Sequence, residues 1–159
     1  MGRGPEFIAV YGTLIPDQGR LDRLDLGRGL RPVGPCRIPG RLLTNGRFPC
    51  LVPGFGLVNG YLLRIIGRAV LPKLDMYEGY APRAPQRSEF IRERLRLHDP
   101  NLDAWVYRYT GIMGHLTPIP EGCWKTWVAG LPGGSPSPAG HVGRYPTRRR
   151  PATEASDSV

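Results

Sequence analysis

The chain has 159 residues, 40% of them hydrophobic, which suits a single core, and no stretch nears the roughly 18 apolar residues of a membrane span. The formal charge of +9 comes mostly from scattered arginines, with one run at 148–150 and no nucleic-acid-binding motif, so no nucleic-acid partner is expected. Cys36, Cys50 and Cys123, like His98, His115 and His141, lack metal-ligand or disulfide spacing, so neither a metal site nor a cystine framework is expected.

In chain order, the apolar run 7–11 reads as a buried strand stopped by Gly12. It is too short for a signal peptide, which leaves a cytoplasmic protein as the expectation. Residues 19–27, "GRLDRLDLG", carry leucines at 21, 24 and 26 and read as a short helix closed by Gly27. Residues 35–44 and 57–66 read as strands, interrupted by Pro39 and Gly60, which predict bulges or bends. Residues 88–97 and 104–109 alternate as strands do, the second placing Trp105, Tyr107 and Tyr109 on one face. From Pro132 onward the chain is rich in Pro, Gly and Ser and nearly devoid of large apolar residues. Such a segment buries too little surface to offset its ordering entropy. The expectation is one domain over 1–131 and a disordered tail over 132–159. Many short strands with one or two brief helices predict a small α+β domain of barrel type.

Between the third and fourth of these strands, "LPKLDMYEGY" (71–80) predicts a helix over 72–78. Pro72 suits its first position and Gly79 its left-handed C-terminal cap. Leu71, Leu74 and Glu78 recur at helical spacing, so Glu78 continues the apolar stripe toward the core. An acid normally complements the first turn of a helix, not the last. Burial and the negative helix terminus both push such a carboxyl toward neutrality, which suits a general acid–base group. The ordinary alternative is structural: Glu78 hydrogen-bonds a buried amide or pairs with an arginine such as Arg83 or Arg92.

The second candidate is the turn after the first strand, Tyr11, Gly12, Thr13 and Leu14. Gly12 permits a tight turn or a positive φ. Successive amides there make a nest sized for a carboxylate, and Thr13 adds a hydroxyl donor. The turn matches neither a phosphate loop nor a dinucleotide fingerprint. An ordinary strand-to-loop turn is the alternative.

Together these motifs resemble the γ-glutamylcyclotransferase-like family, which includes γ-glutamylamine cyclotransferases and plant avirulence-induced proteins. The resemblance rests on "VYGTL" (10–14), "RFPCLVPG" (47–54), "VNGYLLRI" (58–65), "LDMYEG" (74–79), "FIRERL" (90–95), "AWVYRY" (104–109) and "GCW" (122–124). These lie in the family's order along the folded part, and the tail has no counterpart. The resemblance implies a small mixed β-barrel with a few short flanking helices. It implies release of an amine from a small-molecule γ-glutamyl substrate with formation of 5-oxoproline, without a cofactor. It aligns Glu78 with the family's catalytic glutamate, and Tyr11, Gly12, Thr13 and Leu14 with the loop that grips the glutamyl head group. Two departures concern the substrate: Ile15-Pro16 follows the loop where relatives often carry Lys or Arg, and Phe90 replaces a frequent Tyr. The rival expectation is a non-catalytic module of the same fold that binds a small carboxylate.

Overall fold

The computed structural model describes residues 5–12, 14 and 26–131. The first strand, β1 (Glu6–Val10), is a continuous apolar run because both of its faces are covered. Ile8 and Val10 enter one core and Ala9 and Tyr11 the other. β1 pairs antiparallel with β3 (Pro49–Ile65) and parallel with β5 (Asp103–Tyr109). β2 (Leu30–Thr44) pairs along most of β3, β4 (Phe90–Arg96) pairs with β5, and the two-residue β6 (Thr117–Pro118) borders β2. The strand order is β4-β5-β1-β3-β2-β6, one mixed sheet.

That sheet curls into a half-barrel. Register shifts in β2 between Pro32 and Gly34 and between Pro39 and Arg41 bend the long hairpin, the second at the proline that predicted it. Gly60 instead sits in regular register opposite Cys36. A Cβ there would lie 2.8 Å from the Val10 carbonyl oxygen, so Gly60 permits a close approach and not a bulge. The curl brings β2 round to the turn after β4. There the Arg37 carbonyl accepts from the His98 amide at 3.0 Å, and the Arg37 amide donates to Asp99 at 3.2 Å.

Two helices cover the faces. α1 (Val70–Glu78) seals the core that holds Ile8, Val10, Phe90 and Tyr107. α2 (Trp124–Ala129) brings Trp124 against Ala9, Leu62 and Val106. The alternation of β5 holds: Trp105, Tyr107 and Tyr109 all face the α1 side. α1 begins two residues before the expected start, so Pro72 occupies its third position. Its missing N–H still costs nothing there, because first-turn amides have no intrahelical acceptor. Gly79 takes φ 74° and ψ 28°, and the Tyr80 amide reaches back to the Asp75 carbonyl at 2.8 Å. This closure ends the helix immediately after Glu78. Of the expected helix over 19–27, residues 19–25 lie outside the described residues, and Gly27–Gly29 form a 3-10 turn. The tail over 132–159 also lies outside the described residues.

Leu74 anchors α1 and is fully buried, whereas Met76 one turn-face away is 79% exposed. Leu74→Ala is expected to cost about 2–5 kcal/mol and Met76→Ala less than about 0.5 kcal/mol. Urea unfolding checks both, and equal costs would mean that α1 docks on another face.

Candidate functional site

A cleft of about 410 Å³, its open mouth included, opens between the end of β1 and the end of α1. Tyr11, Gly12 and Leu14 form one wall, Phe48 and Pro49 a second, and Glu78, Phe90 and Tyr107 the rest. Three of the four expected loop residues therefore meet Glu78 at one cleft. Thr13 lies outside the described residues. Glu78 is half-buried at the rim of the α1 stripe, not sunk in the core as the leucine spacing suggested, because Leu74 and Tyr77 occupy the deeper positions.

Each wall has a local cause. Asn45 turns the chain ahead of Pro49 by accepting from the Arg47 and Phe48 amides with its Oδ1, at 2.9 and 3.2 Å. The Thr44 hydroxyl then donates to the Phe48 carbonyl at 2.9 Å. The Phe48 ring packs on Phe90 with centroids 5.8 Å apart, and Phe90 meets Tyr109 edge-on at 5.4 Å. Gly12 is needed for a reason other than the one the turn suggested. It does not adopt a left-handed φ. A Cβ on Gly12 would instead stand 2.6 Å from Cγ of the Pro49 ring, so only glycine lets the two walls approach.

Beneath the cleft lies a buried polar network. The Tyr11 hydroxyl donates to the Tyr107 carbonyl at 2.6 Å and accepts from the Leu51 amide at 3.3 Å. This ties β1 to β5 and β3. The Tyr107 hydroxyl donates to Asp75 Oδ1 at 2.6 Å, tying β5 to α1. Arg92 grips the same carboxylate with two bonds, Nε to Oδ1 at 2.8 Å and an Nη to Oδ2 at 3.0 Å. Of the two arginines offered as partners for Glu78, Arg92 is thus engaged bidentately by Asp75.

Burial pushes the Tyr11 phenol well above its usual range, the Glu78 charge adds to this, and the Leu51 hydrogen bond opposes it. Burial likewise raises Tyr107, followed by its bond to Asp75 and the charges of Asp75 and Glu78. Both phenols stay protonated, and each has a single proton that it gives elsewhere, to the Tyr107 carbonyl and to Asp75. They turn only lone pairs toward other neighbours. Asp75, and its pairing with Arg92, escaped the sequence reading. The signal was a second acid one helical turn before Glu78 in "LDMYEG", 6% exposed in the structure. Among the described residues no three His, Cys, Asp or Glu side chains converge as a metal-ligand set. No helix among them is long and apolar enough to cross a membrane.

Comparison with known proteins follows the same architecture. The chain is similar in structure to c4763, a protein specific to uropathogenic Escherichia coli, with TM-score 0.62 and 17% identity over 82% of this chain and 100% of the other. It is similar to ytfP from Escherichia coli, with TM-score 0.57 and 28% identity over 74% of this chain and 95% of the other. An AIG2-like protein from Mus musculus gives TM-score 0.59 and 17% identity over 86% of this chain and 97% of the other. No curated protein sequence matches significantly. The profile of the family described as "Gamma-glutamyl cyclotransferase, AIG2-like" matches residues 8–126, from β1 through the first half of α2. On that match, and on the half-barrel it shares with these proteins, the chain belongs to the AIG2-like γ-glutamyl cyclotransferase family.

Proposed function

We propose that the chain releases an amine from a γ-glutamyl amide or peptide by closing the glutamyl unit to 5-oxoproline, with Glu78 carrying the proton. The observation behind this reading is that the Glu78 carboxylate shares one cleft with the Tyr11–Gly12 backbone and Leu14. Family membership supports the reaction type.

In the reaction the substrate's α-ammonium lies a few bonds from its own γ-carbonyl. Glu78 takes one proton from the ammonium, and the freed amine attacks the carbonyl carbon of the γ-amide to give a tetrahedral oxyanion. The bond from that carbon to the departing nitrogen then breaks as Glu78 returns the proton to it. The ring nitrogen loses its second excess proton, which leaves with the released amine as an ammonium. No electron is transferred and no group donor is consumed, so the proposal invokes no cofactor. Holding the ends in reacting geometry is worth roughly 7–11 kcal/mol in favourable intramolecular cases. The amides of the Tyr11, Gly12, Thr13 and Leu14 turn hold the α-carboxylate, and the apolar walls of Phe48, Pro49 and Phe90 strengthen these charge contacts by excluding water. Cys36, Cys50 and Cys123, none of them joined in a disulfide, suit a reducing cytoplasm, the compartment we assign.

Incubation with a panel of γ-glutamyl amides and dipeptides is expected to yield 5-oxoproline. Glu78→Gln is nearly isosteric and is expected to stay folded while turnover falls about 10²–10⁴-fold, the usual worth of a general acid–base. Unchanged turnover in Glu78→Gln would contradict the assignment, and tight 5-oxoproline binding without turnover by the unaltered protein would favour a binding module. Gly12→Ala, which forces the loop from Pro49, is expected to lower stability by about 1–3 kcal/mol and raise KM by on the order of tenfold. An unchanged KM would separate the loop from substrate binding.

A further inference from the structure

Asp75 and Glu78 stand three residues apart on α1, a spacing that sets side chains about 5–6 Å apart at Cβ. Two carboxylates that close oppose each other's ionisation. Arg92 answers this by meeting Asp75 with both branches of its guanidinium, and the pair is almost closed to water, with 16% of the Arg92 and 9% of the Asp75 side chain exposed. The guanidinium is itself fixed, lying 4.5 Å from the Trp105 ring centroid and 5.9 Å from that of Tyr80. The Trp105 indole N–H reaches Glu6 at 3.3 Å, so the clamp is anchored back to β1. On its other side Asp75 takes the proton of Tyr107, a residue of the cleft wall.

We propose that Asp75 and Arg92 are positioning residues for the cleft, a neutralised pair that holds the Tyr107 proton away from Glu78 and sets the field in which Glu78 exchanges its own. The inference rests on the proton-carrying role assigned to Glu78 above. The Glu78 charge acts on Tyr11 at the end of β1 and on Tyr107 of β5; Tyr107 also feels Asp75, on the helix of Glu78, and Arg92 of β4, which stands over Tyr80, while Cys50 of β3 acts on Tyr11. Tyr11 and Tyr107 are held protonated by burial and by the carboxylates, so they add no charge. Within this set Asp75 and Arg92 carry the opposed charges. Removing one leaves the charge of the other uncompensated within this set. An isolated Arg92 cation favours the Glu78 carboxylate and lowers its titration midpoint. An isolated Asp75 anion disfavours it and raises the midpoint.

The test is a ¹³C NMR titration of the Glu78 carboxyl, its signal assigned by its loss in Glu78→Gln. Asp75→Asn is expected to move the midpoint down and Arg92→Met to move it up, each by on the order of one pH unit. The double variant Asp75→Asn/Arg92→Met is expected to bring it back near the unaltered protein's value. Shifts of the same sign in the two single variants, or none, would overturn the proposal, because loss of a merely structural contact has no reason to reverse sign. If a single variant fails to fold, the double variant keeps the test open, since it leaves no unpaired buried charge. A shift of a full unit in the double variant would then overturn it. The midpoints are read without substrate, so a failure to form 5-oxoproline would defeat the proposed activity and leave this comparison standing.

Discussion

The Tyr11 hydroxyl, lodged between the Leu51 amide and the Tyr107 carbonyl, is the contact on which the cleft depends. It closes the end of β1 onto both neighbouring strands, where the ladder of sheet bonds has run out. Tyr107 then passes the connection through its own hydroxyl to Asp75, and Arg92 completes it. A neutral hydrogen bond adds only about 0.5–1.5 kcal/mol net, but a buried group left without its partner costs about 1–3 kcal/mol. The network is therefore specific more than it is strong: any rearrangement of β1, β5 or α1 strands a buried polar atom. That fixes where the loop and the helix end stand relative to each other.

On this frame the two walls of the cleft are built by opposite devices. The loop wall comes close because Gly12 has no side chain to meet Pro49. The helix wall stops short because Gly79 turns the chain away directly after Glu78. Phe48 and Phe90 fill the space between with rings that have no proton to exchange. The two phenols that Glu78 influences have each committed their proton elsewhere. In the proposed chemistry this matters, because a proton carrier works best when no neighbour competes to supply or accept the proton it moves. The formal charge of +9 over the whole chain adds a long-range field that attracts anions.

Much of this arrangement is legible in the residues because the relevant signals are local. The run 7–11, the alternation of 104–109 and the glycine after Glu78 each predict their own conformation, and the half-barrel follows the expected α+β class. The start of α1 was misplaced because Pro72 is tolerated anywhere in the first turn, so its position does not mark the first residue. Gly60 looked like a bulge and is instead a gap for the Val10 carbonyl, a contact across strands that no single segment can announce. The same limit hid the reason for Gly12. It also hid the Arg92–Asp75 pair, whose partners lie seventeen residues apart on different elements. Burial of Glu78 was overestimated because leucine spacing gives the direction of a side chain and not its depth.

The central claim is that the turn after β1 and Glu78 form one binding site for a glutamyl-derived carboxylate. A ¹H–¹⁵N NMR titration with 5-oxoproline tests this without any assumption about the leaving amine. The account expects saturable shifts concentrated at the Gly12 and Leu14 amides and at Tyr107, weakened in Gly12→Ala. Shifts confined to the exposed arginines of β2 and β3, or no saturable shift at the loop, would contradict it.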